Sequence, residues 1–187
     1  MKKTVQYGIL FGLAWILIKM VFHAVQDNGS NVTPVIFINM FLLLVAIAFG
    51  LFQHKKKEGY TSGNALSDIK SAMTVAIPYS VIVSLFLFLY YNNINPSYNQ
   101  LKIKEADMTI DKDVDNPLIL QKMKNDNEAF EVMSKEKIRK ELKKGPRNFY
   151  NAKSTSLISL LALMMLSTIY SIFITIVYRK VMFRGLE

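Results

Sequence analysis

Four long apolar stretches, residues 5–25, 34–52, 72–91 and 157–178, alternate with polar segments and carry almost no charge. At ~1.5 Å rise per residue, about 20 residues match a hydrocarbon layer of ~30 Å. The backbone polar groups of such a run satisfy one another in lipid by forming a helix. The pattern predicts an all-α membrane protein: four transmembrane helices with a helical extramembrane insertion, residues 92–153, between spans three and four. A chain of 187 residues leaves room for one integral membrane domain, residues 1–187, and for no large soluble core. Lys2 and Lys3 ahead of the first run imitate a signal peptide. That run exceeds a signal core of ~7–15 residues and no small-residue cleavage site follows, so it reads as a retained span.

Charge predicts the orientation. The short segments at the N-terminus (Lys2, Lys3), in loop two (Lys55, Lys56, Lys57, Lys70) and at the C-terminus (Arg179, Lys180, Arg184) hold nine basic residues, whereas loop one, 26–33, holds none. The positive-inside rule places both termini and loop two in the cytoplasm of a bacterial inner membrane. The insertion then lies outside, with thirteen basic and ten acidic residues. Long loops cross largely regardless of charge.

Within the insertion, Asn95-Pro96-Ser97 with Gln100 reads as a turn and a capping start for a short helix over 98–108. Asp115-Asn116-Pro117 reads as a second helix start with Pro in the first turn. Lys143-Lys144-Gly145-Pro146 reads as a stop, with a break expected near Ser134. Between start and stop, Leu120, Met123, Phe130 and Met133 fall on one face. That face has three uses: lying on the bilayer surface, packing on the other helical segment, or docking a partner protein.

Candidate chemistry is thin. The net charge of +9 is explained by topology and anionic headgroups, and the basic segments lack the stacking aromatics of nucleic-acid binders, so no nucleic acid is expected. With no cysteine there is no disulfide or thiolate chemistry. Asp111-x-Asp113-x-Asp115 opens like a calcium loop, but Asn116 and Lys122 stand where Gly and Glu are required, so it reads as solvated loop and helix N-terminal charge. His23 and His54 have no ligand spacing around them and read as interfacial or solvated. No nucleophile motif, phosphate loop or intramembrane carboxylate is present, which points away from an enzyme and from any metal or cofactor.

The remaining candidates lie in the spans. Gly8 and Gly12 form a small-residue pair, and Ser159, Ser167, Ser171 and Thr175 fall on a four-residue grid in span four. Small residues let membrane helices approach closely; packing within the chain is expected, with a homo-oligomer as the competing use. Lys19 lies ~9 Å inside span one and Asn39 ~7.5 Å inside span two, which makes them a candidate intramembrane polar pair, with Lys19 reaching outward. Pro78 should kink span three.

The order of Tyr7-Gly8-Ile9-Leu10-Phe11-Gly12, then Gly59-Tyr60-Thr61-Ser62-Gly63-Asn64-Ala65-Leu66, then Ile94-Asn95-Pro96-Ser97-Tyr98 and a Met- and Lys-rich insertion with Asn116-Pro117 resembles a Bacteroidetes membrane family, domain of unknown function 4199. The resemblance covers nearly the whole chain. The approach to span four, Asn151-Ala152-Lys153-Ser154-Thr155-Ser156, departs from the more apolar, Pro-containing version of that family. The resemblance implies a four-helix inner-membrane protein with no catalytic residues to carry over, found beside membrane glycosyltransferases. The expectation is a non-enzymatic accessory or scaffold subunit whose partners are the bilayer and another membrane protein. A small transporter or channel component is the alternative. It would need Lys19, Asn39, Ser84, Ser167, Ser171 and Thr175 to line one polar path.

Overall fold

The computed structural model describes residues 2–25, 32–60 and 62–182. All the regular structure among them is helical. Four helices are long and apolar enough to cross a membrane: α1 (Lys2–Val25), α2 (Thr33–Glu58), α3 (Ala65–Leu89) and α8 (Ala152–Val177). Four shorter ones, α4 (Pro96–Asp115), α5 (Pro117–Asp126), α6 (Glu128–Glu131) and α7 (Lys135–Phe149), form the insertion. The chain divides into two compact units, Met1–Leu87 with Ser156–Glu187, and Phe88–Thr155. Most of loop one, residues 26–31, lies outside the described residues.

The long helices outrun the apolar stretches because their charged flanks are good helix formers. α2 continues through Lys55, Lys56 and Lys57 and stops only at Gly59, whose φ of 97° suits glycine. The Gly59 amide donates to the Lys55 carbonyl at 2.9 Å. Asn64 then caps α3, its carboxamide oxygen accepting from the Ser67 amide at 2.8 Å.

The membrane unit is built around α3. Ala72, Val75, Ala76, Tyr79, Ser80 and Val83 are all fully buried on it. The other three helices reach it in a consistent register. Gly8 and Gly12 of α1 face Val75 and Tyr79, so α1 and α3 run parallel. Asn39, Gly50 and Lys55 of α2 face Tyr79, Val75 and Asp68, so α2 runs antiparallel. Ser156 and Ser167 of α8, and Arg179 just beyond its end, face Ser84, Ser80 and Asp68, again antiparallel. Large apolar residues such as Leu17, Phe37, Phe41 and Met165 point outward instead. Lipid is as apolar as leucine, so the close contacts fall to small and polar groups.

In the insertion unit α4 and α7 pair antiparallel. Their core is small, with Val114 and Ile138 fully covered. Ion pairs flank it: Asp107 with Arg147 at 3.3 Å, Asp111 with Lys143 at 2.8 Å and Arg139 at 3.1 Å, and Asp115 with Arg139 at 2.6 Å and Lys135 at 2.7 Å. Two sequence readings are corrected here. The aspartates at 111, 113 and 115 lie on a helix rather than in a loop, because α4 runs to Asp115 instead of ending near 108. The α4 aspartates at four-residue spacing meet a basic face 20 to 40 residues away, a contact no local signal announces. The expected stop at Gly145-Pro146 is also passed. α7 continues to Phe149, its extra turn held by Arg147 on Asp107 and closed by Tyr150 N donating to Pro146 O at 2.7 Å. The other starts fall where expected, Asn95 capping α4 and Asn116 capping α5, and the break expected near Ser134 is the start of α7, which Ser134 caps.

Candidate functional site

The Gly8–Gly12 pair packs within the chain. A β-carbon on Gly8 would lie 2.1 Å from the Val75 carbonyl oxygen and 2.8 Å from the Pro78 ring. At Gly12 the nearest atom would be 3.4 Å away, ordinary contact. α3 carries Pro78 inside its length, and Gly8 is what lets α1 sit against that turn. Gly50 plays the same part for α2, a β-carbon there meeting Val75 at 2.4 Å. Val75 is therefore gripped by glycines from two helices. Sequence reading passed over Gly50, although Ala46 four positions earlier makes a small-residue pair with it.

The α8 stripe is also internal. Ser167, Ser171 and Thr175 are all buried, and the Ser167 hydroxyl lies 3.4 Å from that of Ser80. The hydroxyls of Ser84, Ser171 and Thr175 have no hydrogen-bond partner among the described residues. Their contribution is small volume at a helix contact.

Asn39 meets Tyr79. The Tyr79 hydroxyl donates to the Asn39 side-chain oxygen at 2.6 Å and lies 3.1 Å from its carbonyl. Lys19 is 4 % exposed, covered by protein rather than lying open at the surface. The signal for Tyr79 was available: it is the one phenol in the middle of span three, where a belt tyrosine does not belong. Trp15 adds a further link from α1 to α2, its indole N–H donating to the Val35 carbonyl at 3.3 Å.

The strongest electrostatic feature lies where α2, α3 and α8 meet. Lys55 is 1 % exposed and would be costly if unpaired. Its ammonium sits 3.1 Å from Asp68 Oδ1 and donates to the Ser62 carbonyl. The second carboxylate oxygen of Asp68 accepts from Arg179 Nε at 2.6 Å, and the same guanidinium donates to the Gly63 carbonyl at 2.8 Å. One buried carboxylate thus holds two cations, and both cations also tie down the loop backbone. Sequence reading passed over Asp68 because it precedes the apolar run. An acid eleven residues beyond a triple lysine was the available clue. Next to this knot, Tyr178 donates to the Ala48 carbonyl at 2.9 Å. These contacts join helices to one another and fasten the loop between α2 and α3.

In the insertion, Leu120, Met123, Phe130 and Met133 are half-buried, on or next to α5 and α6. α5 packs on both α4 and α6, which covers part of that face. The more exposed apolar side chains are their neighbours, Leu118 and Val132, 79 % and 90 % open.

Four apolar helices locked by small residues and buried polar links, with a helical extramembrane unit, define a multi-pass helical membrane protein. The chain belongs to the family described as protein of unknown function (DUF4199), whose model matches residues 6–180. No curated protein and no solved structure matches it.

Proposed function

We propose that this protein is a non-enzymatic accessory or scaffold subunit of a bacterial inner-membrane complex. Both termini are cytoplasmic in this reading, and the insertion is the docking element on the other side. One observation carries it: Leu118 and Val132 stand open on the same α5–α6 segment whose remaining apolar residues are half-covered. Leaving such surface in water costs ~25 cal/mol per Å², so a partner that covers it gains. The polar groups of the spans support the reading, since Asn39, Lys55, Asp68 and Arg179 are engaged in holding helices together. The resemblance to proteins found beside membrane glycosyltransferases names the first partner class to try.

The cysteine-free chain makes a direct test. Leu118→Cys and Val132→Cys are expected to cross-link to one partner of constant mass in native membranes, whereas Lys137→Cys on exposed α7 surface is not. An impermeant thiol reagent added outside should reach Gln121→Cys and leave Lys56→Cys unlabelled. Equal cross-linking from all three positions, or the reverse labelling, sinks the proposal. The alternative, a small transporter or channel component, rests on the unpartnered hydroxyls of Ser84, Ser171 and Thr175. It wins if Ser171→Val abolishes a reconstituted flux while the fold is retained.

A further inference from the structure

The basic residues of this protein are used unequally. Arg139, Lys143 and Arg147 are matched to α4 aspartates, and Lys55 and Arg179 share Asp68. Lys3, in the first turn of α1, and Lys57, in the last turn of α2, have no carboxylate partner among the described residues. Both line one cavity of about 180 Å³. A water's share of liquid volume is about 30 Å³, so this is the room of about six waters, the scale of a phosphate group with its ester carbons.

The rest of the lining suits an anion. Thr4 and Tyr7 from α1, and Gln53 and His54 from α2, supply hydroxyl, amide and imidazole groups. With Lys3 on α1 and with Gly50 and Lys57 on α2 they recur at three- and four-residue spacing, which turns them toward one groove. α1 begins and α2 ends at this side, so the two helix dipoles oppose each other and the attraction rests on the lysines. Glu58 opposes it from the rim, its carboxylate 3.1 Å from His54 Nε2, and leaves the two lysines in excess. Beyond the cavity the wall becomes aromatic. Phe49 packs against Tyr7 at 5.1 Å and Phe11 at 6.1 Å between ring centres and stays 40 % exposed.

We propose that this cavity binds the phosphate headgroup of an anionic phospholipid. Lys3 and Lys57 hold the charge. Thr4, Tyr7 and Gln53 donate to the phosphate oxygens, and an acyl chain runs past Phe49. Basic pockets between membrane helices are known headgroup sites, and each basic residue near the surface favours anionic lipid. The exposed aromatic wall favours a lipid over free phosphate, which has nothing to place there.

Native mass spectrometry of the full chain in a non-ionic detergent tests this, with phosphatidylglycerol, phosphatidylcholine and inorganic phosphate as probes. Phosphatidylglycerol is expected to bind ahead of phosphatidylcholine. The pair Lys3→Gln and Lys57→Gln should weaken it about thirtyfold, roughly fivefold for each lysine. Gln53→Phe, which fills the cavity at constant charge, should weaken it as well. Lys56→Gln with Lys70→Gln removes the same charge elsewhere and should leave binding unchanged; Trp15 emission confirms the fold in each variant. The proposal is overturned if that control pair loses as much as the cavity pair, or if Gln53→Phe has no effect. It is also overturned if phosphatidylcholine binds equally, or if inorganic phosphate displaces the lipid at equal concentration.

Discussion

The two units of this protein handle charge in opposite ways. The membrane unit buries a few charges and surrounds them with partners, as Asp68 is surrounded by Lys55 and Arg179. The insertion sets its ion pairs at the margin of a small core, and all remain partly open to solvent. Buried pairs are screened little, and leaving one member alone is costly. Exposed pairs are screened and contribute little each. Stability in the membrane unit is therefore concentrated in a few contacts, whereas in the insertion it is spread over a ladder.

The largest effect should come from Asp68→Ala. It leaves Lys55 buried without its carboxylate, and the membrane unit should lose about 3–5 kcal/mol. Unfolding in detergent, followed through the single tryptophan Trp15, measures this. A loss no larger than that from Asp111→Ala in the insertion would break the contrast. Next is Gly8→Ala, whose β-carbon would meet the Val75 carbonyl at 2.1 Å. A cost of about 1–3 kcal/mol is expected for overpacking there. Gly12→Ala, with 3.4 Å of room, should cost far less. Equal costs at the two glycines would mean that the α1–α3 approach is looser than described.

The smallest effect concerns pH in the insertion. Lys135, hydrogen-bonded to Asp115, and Arg139 beside it hold that carboxyl below the usual aspartate range. A folded value below the unfolded one means the unfolded chain binds more protons. The bridge then contributes fully above the ordinary value of about 3.9 and fades as pH falls through the lower folded value. Protease resistance of residues 96–149 should hold from neutrality to about pH 5 and decline in stronger acid. Asp115→Asn should remove part of that decline. An unchanged acid profile in that variant would show that the α4–α7 ladder does not depend on this pair.

What the sequence disclosed follows the same division. The spans were legible because hydrocarbon thickness sets a length that composition alone reveals. The starts at Asn95 and Asn116 were legible because a cap acts on its own next turn, whereas Ser134 was legible only as a break. Gly8 and Gly12 were recognised as a packing face, but their partner was not, since nothing in span one names Val75. The misses are contacts between distant residues, apart from Asn127, whose side chain caps α6 and breaks the expected helix locally. Tyr79 reaches Asn39 across 40 positions, and Arg179 reaches Asp68 across 111. α4 and α7 each run past their local stop signals because each is held by the other.

The reach of Arg179 also sets an order of events in synthesis. At about 5–20 residues per second, the ribosome adds the 111 residues between Asp68 and Arg179 in roughly 6–22 s. During that interval Asp68 has emerged with Lys55 alone, and the loop backbone at Gly63 lacks the guanidinium that later grips it. The first three spans therefore wait in an unlatched state until the last helix arrives. A chain cut short before Arg179 would present that open latch to the quality-control proteases of the membrane.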